Sequence, residues 1–231
     1  MNSLEKFCEN KRIAIVGNSS KILSHNYGDI IDAHDIVVRI NHAPKYISKY
    51  PKNVGTKTTI MSYGLSRLDI ARDISKICNP QYNLFLIRCN GEIKDYSQYS
   101  LFKNPFHGSI EEYKKLKSKF DVFKPSTGSV TINYFINNIN FSKLNLFGFD
   151  FFTSSSPNRK NEFHSYIYRD HSAVLEQKYV QSVLNENVVI FYWNNLPMID
   201  IKTIKCLNYN VTKETNNKIF KTWYSQKCRQ H

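Results

Sequence analysis

The sequence predicts an α/β protein, a single domain with a Rossmann-like parallel sheet flanked by helices. Three observations predict it. Short β-branched and aromatic runs recur along the chain, and most are apolar at every position, as strands buried on both faces are. Segments with helical spacing of apolar residues separate these runs. The 231 residues suffice for one full core, and no repeat, linker or low-complexity stretch marks a second folding unit.

Taken in order, Ile13–Val16 is the first strand, closed by the small-residue turn Gly17–Ser20. Ile36–Ile40 is the second, ending in an Arg39-x-Asn41 pattern. Thr58–Tyr63 is the third, and Leu65–Ile77 follows it as a helix. Leu84–Arg88 is the next strand. Asn90 to Lys124 is the least regular stretch, rich in Tyr, Phe and Lys, and reads as an insertion near an acceptor site, although Ile110–Phe120 within it has helical spacing. Ser129–Ile139 is a helix that Ser126 or Thr127 can cap, after Pro125 ends an extended segment. Leu144–Phe147 is a strand, Ala173–Leu184 a helix with Val174, Leu175, Tyr179, Val180, Val183 and Leu184 at apolar positions, and Val188–Tyr192 the last strand.

Composition narrows the function classes. The hydrophobic fraction of 41% and charged fraction of 22% are ordinary for a globular protein. No apolar run is long enough to span a bilayer, and "MNSLEKFCENK" has no secretory-signal pattern. Cys8, Cys78, Cys89, Cys206 and Cys228 are odd in number and scattered, without metal-ligand spacing or a disulfide framework, which favours a reducing cytosol. The net charge of +13 calls for an anionic partner, and charge alone does not choose among phosphate, anionic sugar, nucleic acid and lipid surface. Residues 201–231 carry seven Lys or Arg against Glu214 alone, so the chain divides into a main domain over 1–200 and a basic C-terminal tail over 201–231. The tail is either solvated charge or, with Phe220, Trp223 and Tyr224 among its lysines, a surface for anionic headgroups.

Three loops carry residue types suited to chemistry. In the Gly17–Ser20 turn, Gly17 permits close backbone approach, while Asn18, Ser19 and Ser20 can donate to phosphate oxygens. The same turn also arises for geometry alone. The glycines of a dinucleotide fingerprint and the Gly-Lys-Ser/Thr of a P-loop are absent. In "KPSTGSVT", Lys124 to Thr131, the helix start suits a carboxylate or phosphate, or is an ordinary cap. In "HSYIYRDHSAVLEQKYV", His164 to Val180, His171 precedes a helix whose dipole disfavours the cation; the ring is either an available base or, as for most histidines outside a motif, a structural or exposed side chain. Glu176 either orients that histidine or is a solvated helix residue. No acidic pair or His/Cys cluster has metal-ligand spacing, so no metal and no cofactor are expected.

Together these words resemble the eukaryotic-type sialyltransferase family. "AIVGNSS", "YGDIIDAHDIVVRINHAP" and "NVGTKTT" are similar to its large motif, "KPSTGSVTINYFINN" with "KLNLFGFD" to its small motif, and "HSAVLE", His171 to Glu176, to its very small motif. These words stand in the family's order across roughly residues 11 to 192. The resemblance implies a GT-A-like variant fold and an inverting, metal-independent transfer of sialic acid from CMP-sialic acid to a glycan hydroxyl. It implies that Asn18 and Asn41 contact the CMP moiety and that Gly17 and Ser19 shape its loop. Ser126, Thr127 and Gly128 would hold the donor, Gly148 and Phe149 would lie near the nucleotide, and His171 would be the base. His164 is the candidate for the histidine that supports the leaving phosphate, although the stretch between it and His171 is shorter than the family's.

Departures from the family carry information as well. Luminal members join a Cys of the large motif to one of the small motif; here Ile13 stands at the first position and 139–141 hold no Cys. The membrane anchor of those members is also missing. Both fit an enzyme of the cytoplasm, peripheral on the inner face of a membrane, with a lipid-linked oligosaccharide of a bacterial surface glycan (lipooligosaccharide or capsule) as the expected acceptor setting. Two alternatives stay open: a CMP-Kdo or other CMP-nonulosonate transferase, and a basic nucleic-acid-binding protein. Against the latter, no recognition helix or RNA-binding motif is visible.

Overall fold

The computed structural model describes residues 2–65, 67–87, 97–152, 154, 157 and 171–191. Its elements are α1 (Ser3–Cys8), β1 (Arg12–Val16), α2 (Gly28–Asp32), β2 (Ile36–Ile40), α3 (Pro44–Ile47), α4 (Pro51–Val54), β3 (Ile60–Gly64), α5 (Leu68–Ser75), β4 (Tyr82–Leu86), β5 (Pro105–His107), α6 (Ile110–Lys117), α7 (Thr127–Asn138), β6 (Lys143–Phe147), α8 (Ala173–Val183) and β7 (Val188–Ile190), with short 3-10 turns between some of them. The seven strands form one parallel sheet in the order β5-β4-β3-β2-β1-β6-β7.

Why the strand runs are apolar throughout is visible in their alternation. On β1, Ile13 and Ile15 enter one core while Ala14 and Val16 enter another on the opposite face. On β2, Ile36, Val38 and Ile40 face the first core and Val37 the second. Side chains of a strand alternate between faces, so a sheet covered on both sides needs apolar residues at every position. The larger core gathers residues from α1, α5, α6, α7 and α8, and the smaller one from α3 and α4. α7 is buried along most of its length from Thr127 to Phe135.

The strand order changes direction at β1, which has β2 on one side and β6 on the other. Val16 is level with Arg39 on β2 and with Phe147 on β6, so the loops after these three strands leave the sheet side by side. In open parallel sheets this reversal opens a crevice at the carboxyl edge, where ligands bind.

Two sequence expectations are corrected. The stretch Asn90 to Lys124 is not simply an insertion: Pro105–His107 adds the edge strand β5 beside β4, and α6 follows it. The helix expected over Leu65–Ile77 runs only from Leu68 to Ser75, because β3 extends through Gly64. α1 to α4 were unforeseen. Arg88, His164, Tyr192 and the tail at 201–231 lie outside the described residues.

His34, in the turn before β2, ties the two sheet halves together. Its Nδ1–H donates to the carbonyls of Ile30 (2.9 Å) and Ile31 (3.1 Å), and its Nε2 accepts from Asn145 Nδ2 of β6 (2.8 Å). Both ring nitrogens are committed in the neutral form, and burial pushes the pKa below the ordinary histidine value of 6.5. Burial lowers that of His107 as well. The unfolded chain therefore takes up more protons than the native one as pH falls below about 6.5. Stability is expected to be level between that value and about pH 8 and to decline below it, by at most about 1.4 kcal/mol per pH unit for each such group. Thermal midpoints at about pH 7.5 and about pH 5.5 check this, and a His34→Gln variant should show a smaller difference than the wild type.

Candidate functional site

The loops after β1, β2 and β6 meet at the carboxyl edge, and glycine decides how closely. Gly17 N–H donates to Phe147 O (2.7 Å) and Ser19 N–H to Gly148 O (3.1 Å). A Cβ on Gly17 would stand 2.5 Å from Gly148 O, and Gly148 itself has φ +69°. Gly17 thus admits the backbone of the β6 loop, where the sequence suggested a ligand. Gly128 has a similar neighbour, since its Cβ would stand 2.9 Å from Phe149 Cε1. Gly17, Gly148, Phe149 and Gly128 therefore form one contact chain from β1 to the start of α7. Ser19 is buried; its Oγ accepts from Lys21 N–H (3.2 Å) and pairs with Ser154 Oγ (3.0 Å).

The two asparagines stand at neighbouring strand ends. Asn18 Nδ2 donates to Ile40 O (3.0 Å), and Asn18 Oδ1 accepts from Tyr46 OH (2.8 Å). Asn41 sits in the left-handed region (φ 49°), a conformation asparagine tolerates better than most residues. Its N–H donates to Ser62 O (2.9 Å) and its Nδ2 to Thr127 Oγ1 (3.2 Å), while its Oδ1 is buried without a protein partner among the described residues. Arg39, between them in sequence, faces away from the loops. It is fully buried, and its Nε and Nη2 donate to Lys57 O (3.1 and 3.0 Å). Burial lowers its pKa to about 10, so it stays cationic at neutral pH beneath the end of β2.

The starts of α7 and α8 are fastened to each other. Ser126 caps α7, its Oγ accepting from Ser129 N–H (3.1 Å), and Ser172 caps α8. Glu176, on the first turn of α8, is 3% exposed and accepts from Ser126 N–H (2.6 Å), Ser126 Oγ–H (2.8 Å) and Ser129 Oγ–H. The solvated-residue reading of Glu176 is thereby corrected: its partners come from α7, 50 residues upstream. With Ser126 N–H on Glu176 and Ser129 N–H on the cap, the N–H groups of Thr127 and Gly128 are the ones that helix geometry leaves pointing outward from α7. Downstream, Thr131 Oγ1 bonds Thr127 O (2.7 Å) and Ser62 Oγ (2.7 Å), anchoring this turn on β3.

His171 is buried two residues before α8, its ring stacked on Phe152 at 5.7 Å. Its Nδ1 lies 2.6 Å from Lys124 O. A carbonyl oxygen only accepts, so Nδ1 carries the hydrogen, and in the neutral ring Nε2 holds the lone pair. Phe151 and Phe152 adopt φ 53° and 65°, unusual for aromatic residues, and deliver the Phe152 ring to the histidine.

Among the sequence-derived site residues, Gly17, Asn18, Ser19, Asn41, Ser126, Thr127, Gly128, Gly148, Phe149, His171 and Glu176 thus belong to one connected set at the carboxyl edge. His164 lies outside the described residues. Reading the loops alone missed Tyr46, Ser62, Ser129, Phe152 and the Lys124 carbonyl. Only the two-phenylalanine run at 151–152 gave any local signal. The set has outward amide donors, two helix starts with positive potential and one imidazole of fixed tautomer. That combination suits an anionic ligand beside a hydroxyl that must lose a proton. The sialyltransferase resemblance would join Ile13 to a position within 139–141; Ile13 and Ile139 belong to the larger apolar core and Phe141 packs against it.

Comparison with known proteins adds the following. Residues 4–76 match the model of glycosyltransferase family 29 (sialyltransferase). The beta-1,6-galactosyltransferase GALT29A of Arabidopsis thaliana is 49% identical over 47 residues, 20% of this chain and 11% of that protein. CMP-N-acetylneuraminate-beta-galactosamide-alpha-2,3-sialyltransferase 1 of Gallus gallus is 41% identical over 71 residues, 30% of this chain and 20% of that protein. The matched segments thus span a fifth or less of those two relatives. A mammalian sialyltransferase crystallised with Gal-beta-1-3GalNAc-ortho-nitrophenol shares the fold, with a TM-score of 0.51 and 20% identity over 79% of this chain and 69% of that one.

Proposed function

We propose that this chain is a member of glycosyltransferase family 29 (sialyltransferase), whose model its residues 4–76 match, and that it transfers sialic acid from CMP-sialic acid to a glycan hydroxyl, with inversion and without a metal. The observation that carries this reading is the junction of α7 and α8, where Glu176 joins the two helix starts and Lys124 O fixes His171. In the proposed reaction the acceptor oxygen attacks the anomeric carbon as the bond to the CMP phosphate breaks, and its proton passes to His171 Nε2. The helix starts and the amides of Asn18 and Asn41 hold the nucleotide and the sugar carboxylate, in place of a cation. The acceptor is proposed to be lipid-linked, as in a bacterial surface glycan, with the basic residues of 201–231 facing anionic headgroups; undiminished binding to anionic vesicles after removal of 208–231 would discard that part.

Isothermal titration with CMP, with and without EDTA, tests the core of the proposal. CMP should bind equally in both, and Asn18→Ala or Asn41→Ala should each weaken binding by about 1–3 kcal/mol. Binding abolished by EDTA would overturn the metal-free mechanism. A second reading concerns the donor: a relative named as a galactosyltransferase shows that the matched segment does not itself name the sugar. A panel of CMP-sialic acid, CMP-Kdo and UDP-galactose, read by release of the free nucleotide, decides it.

A further inference from the structure

Asn18 is held in one orientation by chemistry that involves Tyr46, and the consequence is an amide that keeps one N–H in a fixed direction. The Ile40 carbonyl, 3.0 Å from one end of the Asn18 amide, accepts and cannot donate, so that end is Nδ2. The other end, Oδ1, then faces Tyr46 OH at 2.8 Å, and the phenol must be the donor. Tyr46 itself has little freedom. It lies on the short α3 that follows β2, is 2% exposed, and packs in the core formed by Ala14, Val16, Val37 and Val54. Burial pushes its pKa well above the usual phenol value, which keeps the donor hydrogen in place. With Oδ1 and one N–H engaged, the second N–H of Nδ2 is the group Asn18 has left for a ligand.

We propose that Tyr46 is a positioning residue that sets Asn18 as a hydrogen-bond donor toward an oxygen of the bound nucleotide, a phosphate or ribose oxygen of CMP. The proposal rests on the nucleotide-binding reading of the site. Removing only the phenol oxygen should release the Oδ1 end, so that the amide turns and its free N–H no longer keeps one direction. A ring that served packing alone would not care about the hydroxyl in this way, since Tyr46→Phe leaves the apolar contacts in place.

The test is titration of the wild type, Tyr46→Phe, Asn18→Ala and the double variant with CMP and with cytidine. Tyr46→Phe should bind CMP about three- to tenfold more weakly than the wild type. It should add no further loss in the Asn18→Ala background. Loss of CMP affinity with cytidine affinity unchanged assigns the oxygen to the phosphate, and equal loss of both assigns it to the ribose. Asn18→Asp keeps an acceptor for Tyr46 but has no N–H, so it should bind CMP more weakly than Asn18→Ala. That comparison tests donation by Asn18, whereas Tyr46→Phe alone and in the Asn18→Ala background tests the part played by Tyr46. CMP binding by Tyr46→Phe equal to the wild type, an undiminished loss in the Asn18→Ala background, or Asn18→Asp binding as tightly as Asn18→Ala overturns the proposal. A wild type that binds no CMP overturns the nucleotide reading first and this inference with it.

Discussion

His171→Ala is expected to lower the turnover of sugar transfer by about 10²–10⁴-fold, the usual contribution of a positioned general base. The reason lies at the other ring nitrogen. Nδ1–H is committed to Lys124 O at 2.6 Å, the imidazole is stacked on Phe152, and the residue is 9% exposed, so the ring has one tautomer and one direction. That arrangement leaves Nε2 as the basic atom of the neutral ring. Removing the ring also removes the tie to Lys124, two residues before the Ser126 cap, and a loss of activity could therefore reflect a displaced α7. His171→Asn separates the two effects. Its Nδ2–H reproduces the donor to Lys124 O but supplies no base, so it should recover stability relative to Ala and remain as inactive. CMP affinity should stay within about threefold of the wild type in both variants, because in the proposed mechanism the base would face the acceptor. Turnover restored by Asn would assign His171 to holding α7, and near-normal turnover in Ala would remove it from the mechanism.

The strands at the centre of the sheet were legible because burial on both faces leaves a dense signal: β1, β2 and β6 read correctly to within a residue. β5 was not, since three residues at an edge, Pro105–His107, have no room for a pattern and include a proline. α3 and α4 hold four residues each and open with Pro44 and Pro51, which read equally as turn signals. The site divides along the same line. Its loops could be located because each follows a strand or opens a helix, and a local word carries that much. The partners of those loops could not. Tyr46 reaches Asn18 from 28 residues away and Glu176 reaches Ser126 from 50, and both contacts exist only because parallel strands bring successive loops to one edge. The role of Gly17 shows the limit from the other side: its residue type announced a close approach, but only the strand order reveals that Gly148 is what approaches.

Glu176→Ala is expected to cost about 2–4 kcal/mol of folding stability, the largest loss foreseen for a single polar side chain at the site. The carboxylate is buried and accepts from one backbone N–H and two hydroxyls, all on the first turn of α7. Truncation leaves those three donors without their acceptor in a space that excludes most water, and the desolvation of each goes uncompensated. It also removes a negative charge from the starts of two helices, of 12 and 11 residues, where such a charge is favourable. Glu176→Gln preserves volume and one acceptor oxygen but turns an NH2 toward hydroxyl donors, and it should cost less, about 1–3 kcal/mol. Urea denaturation of the three proteins measures the order, wild type above Gln above Ala. The functional consequence follows from what Glu176 occupies. By taking Ser126 N–H, it leaves Thr127 and Gly128 N–H as the outward donors, and without it Ser126 N–H would compete for the ligand while the turn loosened. CMP binding should therefore weaken in Ala by more than in Gln, at a temperature where both are folded. An Ala variant as stable as the wild type within about 0.5 kcal/mol would show that the Glu176 bonds do not hold the two helices together.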